Sequence, residues 1–402
     1  MECNYKVDQT DRKLSNFSKI STIILVISPI LQTYGWGKYD FAFISTSVLA
    51  VYYVFFKKVR NRIPQLLVFY LLYCVVSTFL SATSVSSLFQ LSILRVFLTY
   101  LLFFDVVPKD YLIKVYRFVG FVCLSFFFIQ EIFALTGFRI SGIAKFLPLA
   151  LSVDNVADYY SSVLEWNRSA SFFSEPAYYA QMMLPLLCVE LFYDKHKYHY
   201  FYALGIVLSL LLSKSGNALF GLAVVGISFF VYLLNSRPTG KNLLLIISFV
   251  IFSVFGSIMF LKSSAGDEVL GRQDQLSQDA TSGQSGFIRI FRGYYVYEEL
   301  SFFQKTTGVY NAEVIQDKIN KCRVAYTFKK GDMSFNLVQN VLIRTGLIGT
   351  IIFLFFWIGM LMSSNACGKS IMLVFFLLSF IEALYFKDLM TLYLVLAYKL
   401  KT

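Results

Sequence analysis

Long apolar runs alternate with short polar turns along almost the whole chain. Each run lasts about 15–25 residues, the length of an α-helix that crosses a lipid bilayer, and none alternates residue by residue as barrel strands do. The pattern predicts twelve membrane-spanning helices. Their expected ranges are 20–34, 41–56, 63–83, 88–107, 112–136, 176–194, 199–213, 217–235, 243–261, 337–361, 370–385 and 388–399.

The same pattern predicts an all-α polytopic integral membrane protein with about twelve transmembrane helices and one large external loop. Residues 1–261 are expected to hold helices one to nine and a smaller external loop at 137–175. Residues 262–335 are the large loop, and residues 336–402 hold the last three helices. Because 57% of the 402 residues are hydrophobic, against about 45–50% in soluble domains, a single soluble core is excluded.

Positive charge is distributed unevenly between alternate connections. It is concentrated at the N-terminus and in every second turn, such as 57–62, whereas the other short turns hold at most one lysine, such as Lys387. By the positive-inside rule both termini are predicted to be cytoplasmic, and 137–175 and 262–335 external. The net charge of +12 needs no nucleic acid partner, although the part of it in the large loop suits an anionic substrate.

Cysteine and histidine give no sign of a metal or cofactor site. Only Cys322, of six cysteines, lies in the large loop, and the chain has no Cys-x-x-Cys pair. The two histidines, His196 and His199, share one short turn and are interpreted as interfacial polar residues. We therefore expect neither a bound metal nor a cofactor.

The second half of the large loop is predicted to be ordered. After a stretch rich in Gly, Ser and Gln, residues 287–300 become aromatic and amphipathic. At helical spacing Phe291 and Tyr295 separate partly from Arg289 and Arg292. We expect an interfacial helix whose arginines lie near the lipid head groups.

Two arginines lie inside predicted spans, Arg95 in the fourth and Arg344 in the tenth. A charge at mid-membrane costs from ~2.5 to more than 10 kcal/mol, so it needs a polar cavity or a buried partner. For Arg95 two interpretations are open: an anchor for a lipid phosphate or pyrophosphate, or a structural pair with Glu131 or another buried acid. Arg344 is the same kind of residue, and the following Thr345-Gly346 places it nearer the outer surface.

The sharpest local motif opens the sixth helix. Ser174-Glu175-Pro176 places proline in the first turn and an acid at the positive end of the helix dipole. Glu175 is either a helix cap only or, with Arg168, part of a charged pair at the outer mouth of a span.

Two asparagines mark the start of the tenth helix. Asn336 and Asn340 are four residues apart and share one helix face, and their amides suit hydrogen bonds to sugar hydroxyls. Gly346 and Gly349 follow and predict close helix packing.

In this order the motifs resemble those of the bacterial O-antigen and capsular polysaccharide polymerases, which are related to the O-antigen ligases. The matching parts are Arg168 with Glu175-Pro176, the 213–217 turn, the arginines of the large loop, and 336–349. The resemblance covers most of the chain as topology but only these short motifs as residues. It implies a GT-C-like fold in the bacterial cytoplasmic (inner) membrane.

The resemblance implies a glycosyltransferase that joins undecaprenyl-pyrophosphate-linked oligosaccharide units on the outer face of that membrane. A sugar hydroxyl attacks the anomeric carbon of the growing chain, and undecaprenyl pyrophosphate leaves. Arg168 and Arg289 are expected to contact the pyrophosphate, and Glu175 to accept the hydroxyl proton. The further candidates for substrate binding are Arg292, Arg95, Arg344, Asn336 and Asn340. Membrane lipid and a separate chain-length regulator protein are the other expected partners.

Three other functions compete with a polymerase. The related ligases use a histidine in the large loop, and this loop has none. A lipid-linked oligosaccharide flippase would need no large loop and would show two related halves, which this sequence does not show. A receptor or scaffold would not need arginines inside spans. The order of preference is polymerase, ligase, flippase.

Overall fold

The computed structural model describes residues 14–36, 39–80, 92–144, 146–150, 168–193, 196–235, 290–328 and 333–401. These residues form fourteen α-helices and one two-stranded antiparallel ribbon of β1 (Gly35–Trp36) and β2 (Tyr39–Asp40). The first eight helices are α1 (Asn16–Leu31), α2 (Phe41–Phe56), α3 (Gln65–Leu80), α4 (Ser92–Val106), α5 (Lys109–Leu135), α6 (Pro176–Phe192), α7 (His199–Leu212) and α8 (Gly216–Leu234). The others are α9 (Arg292–Glu298), α10 (Phe302–Thr307), α11 (Ala312–Lys321), α12 (Leu337–Ser363), α13 (Ala366–Ser379) and α14 (Asp388–Lys399).

Eleven of the predicted spans overlap one of these helices, and the ninth, 243–261, lies outside the described residues. Within the described part, three helices are long and apolar enough to cross a bilayer: α5, α8 and α12. Shorter apolar helices accompany them, namely α1, α2, α3, α7 and α13. The chain is thus mostly helical, with the long apolar helices that a helical membrane protein needs.

The central helices are α6 and α14. Both are apolar on every side, so they can be buried all round: fifteen residues of the seventeen in α6 are buried, and ten of the twelve in α14. α13 contacts both, and α12 packs against α13 and α3. The outer helices expose large apolar side chains such as Phe55, Phe118 and Phe201, a surface that lipid tails match.

Helix α12 is broken at Gly346, whose φ of 62° and ψ of −167° are not helical. A Cβ atom there would lie 2.4 Å from the carbonyl oxygen of Thr306 in α10, so only glycine allows this close approach. The Ser77 hydroxyl donates to the carbonyl of Arg344 at 2.9 Å, just before the break. The packing predicted at Gly346 is confirmed, but it belongs to a break in the helix.

The described part of the large loop folds around its own small core, which includes Val296 and Ile315. Arg292 is buried against it: its Nη2 donates to the carbonyl of Ser334 at 2.6 Å, and its guanidinium stacks on Phe328 at 4.5 Å. The prediction that Arg292 lies near lipid head groups is therefore wrong. Its side chain instead fastens the loop to the chain that enters α12.

The end of the eleventh predicted span is also wrong. The prediction placed it at residue 385, whereas α13 ends at Ser379 and residues 380–387 form a non-helical connection to α14. Residues 380–386 are mostly apolar, so hydrophobicity alone does not show that the helix has ended. Phe386 adopts a left-handed φ of 55° in this connection, which a bulky side chain rarely does.

Candidate functional site

Four helices, α6, α8, α12 and α14, begin at the same end of the bundle, called here the cavity end. The segment that precedes α14 is hydrogen-bonded to the first residues of α8 and of α12. Asn217 in α8 donates its amide to Glu382 Oε1 at 2.7 Å, and the backbone N–H of Leu337 in α12 donates to the carbonyl of Glu382 at 2.9 Å. These contacts fix the walls of a cavity.

The cavity has a volume of about 390 Å³. Three basic side chains line it: Arg95 from α4, Arg344 from α12, and Lys387, the residue before α14. Polar groups line the remaining wall, among them Asn340 and Ser334. The structure thus brings together the two in-span arginines and adds a lysine. Cations and hydrogen-bond donors on several elements suit an anion with several oxygen atoms.

Arg344 is the least compensated of the three cations. Its Nε donates to Asn340 Oδ1 at 3.1 Å, and its guanidinium lies 5.7 Å from the centre of the Tyr310 ring. Both neighbours are neutral, and within the described residues no carboxylate forms an ion pair with Arg344. A cation inside an apolar bundle needs compensation, which an anionic ligand in the cavity would supply.

The structure tests one of the two interpretations open to Arg95, the structural pair; the phosphate anchor stays a prediction. Arg95 lines the cavity, and its Nη2 lies 3.6 Å from Oδ1 of the buried Asp388. The guanidinium also donates to the hydroxyls of Thr46 and Ser47, at 2.9 and 3.2 Å. The predicted pairing with a buried acid is therefore confirmed, but the acid is Asp388 and not Glu131. Arg95 is held in place by the protein, unlike Arg344.

Lys387 is exposed to the cavity although protein surrounds it. Burial lowers the pKa of its ammonium group, while the nearby carboxylates of Glu382, Asp40 and Glu175 act in the opposite direction. None of them pairs with Lys387 within 4 Å in the described part of the chain. Lys387 is a site residue that the sequence analysis did not select.

A cluster of buried hydroxyl groups forms one side of the cavity. The Tyr385 hydroxyl contacts those of Tyr70, at 3.1 Å, and Tyr310, and the thiol of Cys74 lies 3.7 Å away. Tyr310 and Tyr385 line the cavity. Desolvation raises the pKa of Tyr310 well above its ordinary value, so its hydroxyl keeps its proton and serves as a donor or acceptor.

The two asparagines of the α12 start have different surroundings. Asn336 caps the helix, because its Oδ1 accepts from the backbone N–H of Gln339 at 2.8 Å, and its amide donates to the carbonyl of Phe380 at 2.7 Å. Asn340 lines the cavity and orients Arg344. The structure therefore associates only Asn340 with the cavity, and Asn336 holds the helix start.

The Arg168–Glu175 segment occupies a separate, small crevice. Arg168 lines this space of about 30 Å³ and donates from Nη1 to the carbonyl of Lys214 at 3.4 Å. The buried Gln130 fixes the segment through the backbone N–H of Ser171, which donates to its Oε1 at 2.8 Å. Ser171 and Lys214 both have left-handed φ values, 54° and 49°, and such strained residues are concentrated at functional sites.

Glu175 stands at the N-cap of α6, as predicted, and Pro176 is the first helical residue. Its side chain makes no capping hydrogen bond, and its charge acts on Lys387 across the cavity end. Glu175 therefore occupies the cap position while its charge also reaches Lys387.

The remaining predicted arginines lie elsewhere. Arg292 is in the loop core and touches the cavity only indirectly, through Ser334, which lines it. Arg289 lies outside the described residues. Sequence reasoning missed Lys387, Tyr310 and Tyr385; the one available signal was a lysine in a predicted outer turn, where lysine is scarce.

No group of three or more side chains that could hold a metal ion occurs among the described residues. The chain matches none of the protein-family models compared with it, and none of the curated proteins matches its sequence.

Proposed function

We propose that this protein is a membrane glycosyltransferase that polymerises undecaprenyl-pyrophosphate-linked oligosaccharide units. The observation that carries the proposal is Arg344, a cation without an ion pair in the described structure that faces a cavity together with Arg95. A polyprenyl pyrophosphate supplies the anionic group that such a site lacks, on a lipid that reaches it from the bilayer. The resemblance of the sequence motifs to polysaccharide polymerases supports the same substrate.

In the proposed reaction, Arg95 and Arg344 bind the pyrophosphate of the growing chain. A hydroxyl of the incoming unit attacks the anomeric carbon, the bond from that carbon to the pyrophosphate oxygen breaks, and undecaprenyl pyrophosphate leaves with the electron pair. The arginines stabilise the negative charge that develops on the leaving group. Glu175 accepts the hydroxyl proton, and Arg168 holds the strand before Glu175 against the 213–217 turn.

The proposal includes the predicted topology. Twelve spans place both termini in the cytoplasm and the cavity end on the outer face of the bacterial inner membrane. The contacts support one side for the predicted external segments, because Gly35 in the first turn donates to the carbonyl of Pro148 at 2.9 Å, and the Asn217–Glu382 bond joins two other outer turns.

The test uses a strain that lacks the gene, complemented with plasmid copies and examined by polysaccharide gel. The wild-type copy restores a ladder of chain lengths. Arg344→Met removes the charge and is expected to reduce chain extension at least about 100-fold, the effect of losing one group that stabilises developing charge. The matched control is Arg60→Met, which removes an exposed arginine at the other end of the bundle. Immunoblots of the membranes confirm equal amounts of protein.

The phenotype of the deletion strain distinguishes the alternatives. A single repeat unit on the lipid acceptor, without a ladder, is the result expected of a lost polymerase. Full-length chains that remain on the lipid carrier would identify a ligase instead. No repeat unit at all on the acceptor would identify a flippase, for which the break in α12 is also suitable because transporters use interrupted helices.

A further inference from the structure

The connection between α13 and α14 supplies a third of the cavity wall. Four of the twelve lining residues come from it: Ala383, Tyr385, Phe386 and Lys387. The connection is fixed at two points, through the Glu382 bonds to α8 and α12 and through the Tyr385 hydroxyl. Lys387 therefore lies at the end of a connection that is held in place by hydrogen bonds to three other helices.

The backbone next to Lys387 is strained. Phe386 has a φ of 55°, in a region that costs a bulky residue free energy and persists only where the surroundings enforce it. Here the anchors at Glu382 and Tyr385 enforce it. The anchored backbone thus fixes where the Lys387 side chain leaves the chain, at the edge of the cavity that it lines.

The charges around Lys387 leave it available to a ligand. The carboxylates that act on it come from three elements, Asp40 before α2, Glu175 before α6 and Glu382 in its own connection, and none lies in ion-pair contact within the described residues. Asp40 is engaged elsewhere, since it caps α2 through the backbone N–H of Phe43 at 2.6 Å. Within the part of the chain that the structure describes, two cations of the cavity thus have no ion pair, Arg344 and Lys387.

We infer that Lys387 is a specificity-determining residue that makes the cavity prefer a diphosphate to a monophosphate. The inference rests on the proposed function and names the donor class of the same site. Arg344 and Lys387 belong to different elements and both line the cavity, so in this inference each serves one phosphate of a diphosphate. A monophosphate is bound by Arg344 with Arg95 and gains little from Lys387.

The test is calorimetric titration of the purified full-length protein in lipid nanodiscs with inorganic pyrophosphate and with inorganic phosphate. Wild type is expected to bind pyrophosphate at least about tenfold more tightly than phosphate, because a hydrogen bond to a charged group contributes about this factor. Lys387→Met is expected to lose this preference, by weakening pyrophosphate about tenfold and phosphate less than about threefold. Lys387→Arg keeps the charge and the preference.

The control variant is Lys321→Met, which removes an exposed lysine paired with Asp317 at 2.8 Å in the loop and leaves both affinities unchanged. Thermal unfolding of each variant checks that it is folded, and Lys387→Gln replaces Lys387→Met if the latter does not accumulate. If Lys387→Met or Lys387→Gln weakens both ligands equally, or neither, the inference is wrong. The proposed function then still stands if Arg344→Met abolishes chain extension, and if wild type binds neither ligand both proposals fail.

Discussion

The two ends of the bundle treat their cations differently. At the end opposite the cavity, called here the basic end, Arg62 lies 3.1 Å from Asp105, and Arg117 lies 2.6 Å from the fully buried Glu190. Lys399 donates to the carbonyl of Phe104 at 2.8 Å. At the cavity end Arg344 and Lys387 have no ion pair among the described residues.

This difference in ion pairing separates cations that stabilise the fold from cations that the proposed function assigns to ligand binding. A buried charge with a protein partner contributes to the structure, and removing one member leaves the other uncompensated. A cation that faces a cavity without a partner destabilises the empty protein, and the proposed function accounts for it by an anionic ligand. The paired cations of the basic end follow the first rule, and so does Arg95 with Asp388 at the cavity end, whereas Arg344 and Lys387 follow the second. Three measurements test this contrast, in addition to the two experiments above.

The largest expected effect is on stability at the basic end. Arg117→Met removes the arginine from the buried Glu190 carboxylate and leaves it His196 at 3.0 Å, so we expect a loss of about 3 kcal/mol of the free energy of unfolding, the low end of the cost of breaking a buried pair. Arg344→Met at the cavity end breaks no ion pair, so its loss stays within about 1.5 kcal/mol, the net value of one hydrogen bond. Unfolding in mixed detergent micelles of graded SDS content measures the loss of stability in both variants. Equal losses in the two variants would contradict the contrast between the ends.

An intermediate effect is expected from Arg292→Met in the loop core. It removes the bond to Ser334 and the stacking on Phe328, a loss of about 1.5–3 kcal/mol. Ser334 lines the cavity, so the KM for the lipid-linked donor should rise more than kcat falls. A fall in kcat with unchanged stability would instead support direct substrate contact. Arg323→Met is the matched control, because Arg323 is exposed and stacks on Tyr295 at 4.0 Å.

The smallest effect is a pH dependence of pyrophosphate binding. Burial lowers the pKa of Lys387 below its ordinary value of 10.5, and only the protonated form attracts an anion. Affinity is therefore full below the pKa of Lys387 and falls a few-fold as the pH rises through it. Lys387→Arg is expected to show no such fall between about pH 8 and 10, since arginine remains charged there. A fall of the same size in this variant would assign the titration to another group.

The starts of the helices were largely predictable. The sequence places starts at 41, 176, 199 and 388, and the helices begin at these residues. Pro176 at the first helical position of α6 and Asp40 at the cap of α2 act within a few residues of where they stand, so a local pattern contains the information. The end of α13 was not predictable, because residues 380–386 stay apolar and bend through the strained φ of Phe386.

The candidate site was predictable only in part. Arg95 and Arg344 are conspicuous in sequence because a charge within an apolar run is costly, and both line the cavity. Their partners were not predictable. Arg95 pairs with Asp388, whereas the guanidinium of Arg344 donates a hydrogen bond to the neutral Asn340, one turn earlier in α12. Lys387 resembled any turn lysine until the anchors at Glu382 and Tyr385 placed it at the cavity.

The sequence by itself determined that this chain is mostly helical, where most of the helices begin, and which charges are unusual. Those properties depend on the transfer of apolar segments out of water and on caps a few residues away, both of which are local. Only the tertiary structure decided which cations are paired. Pairing depends on contacts between residues far apart in the chain, so the same residue type fastens the loop at Arg292 and, within the described residues, has no ion pair at Arg344.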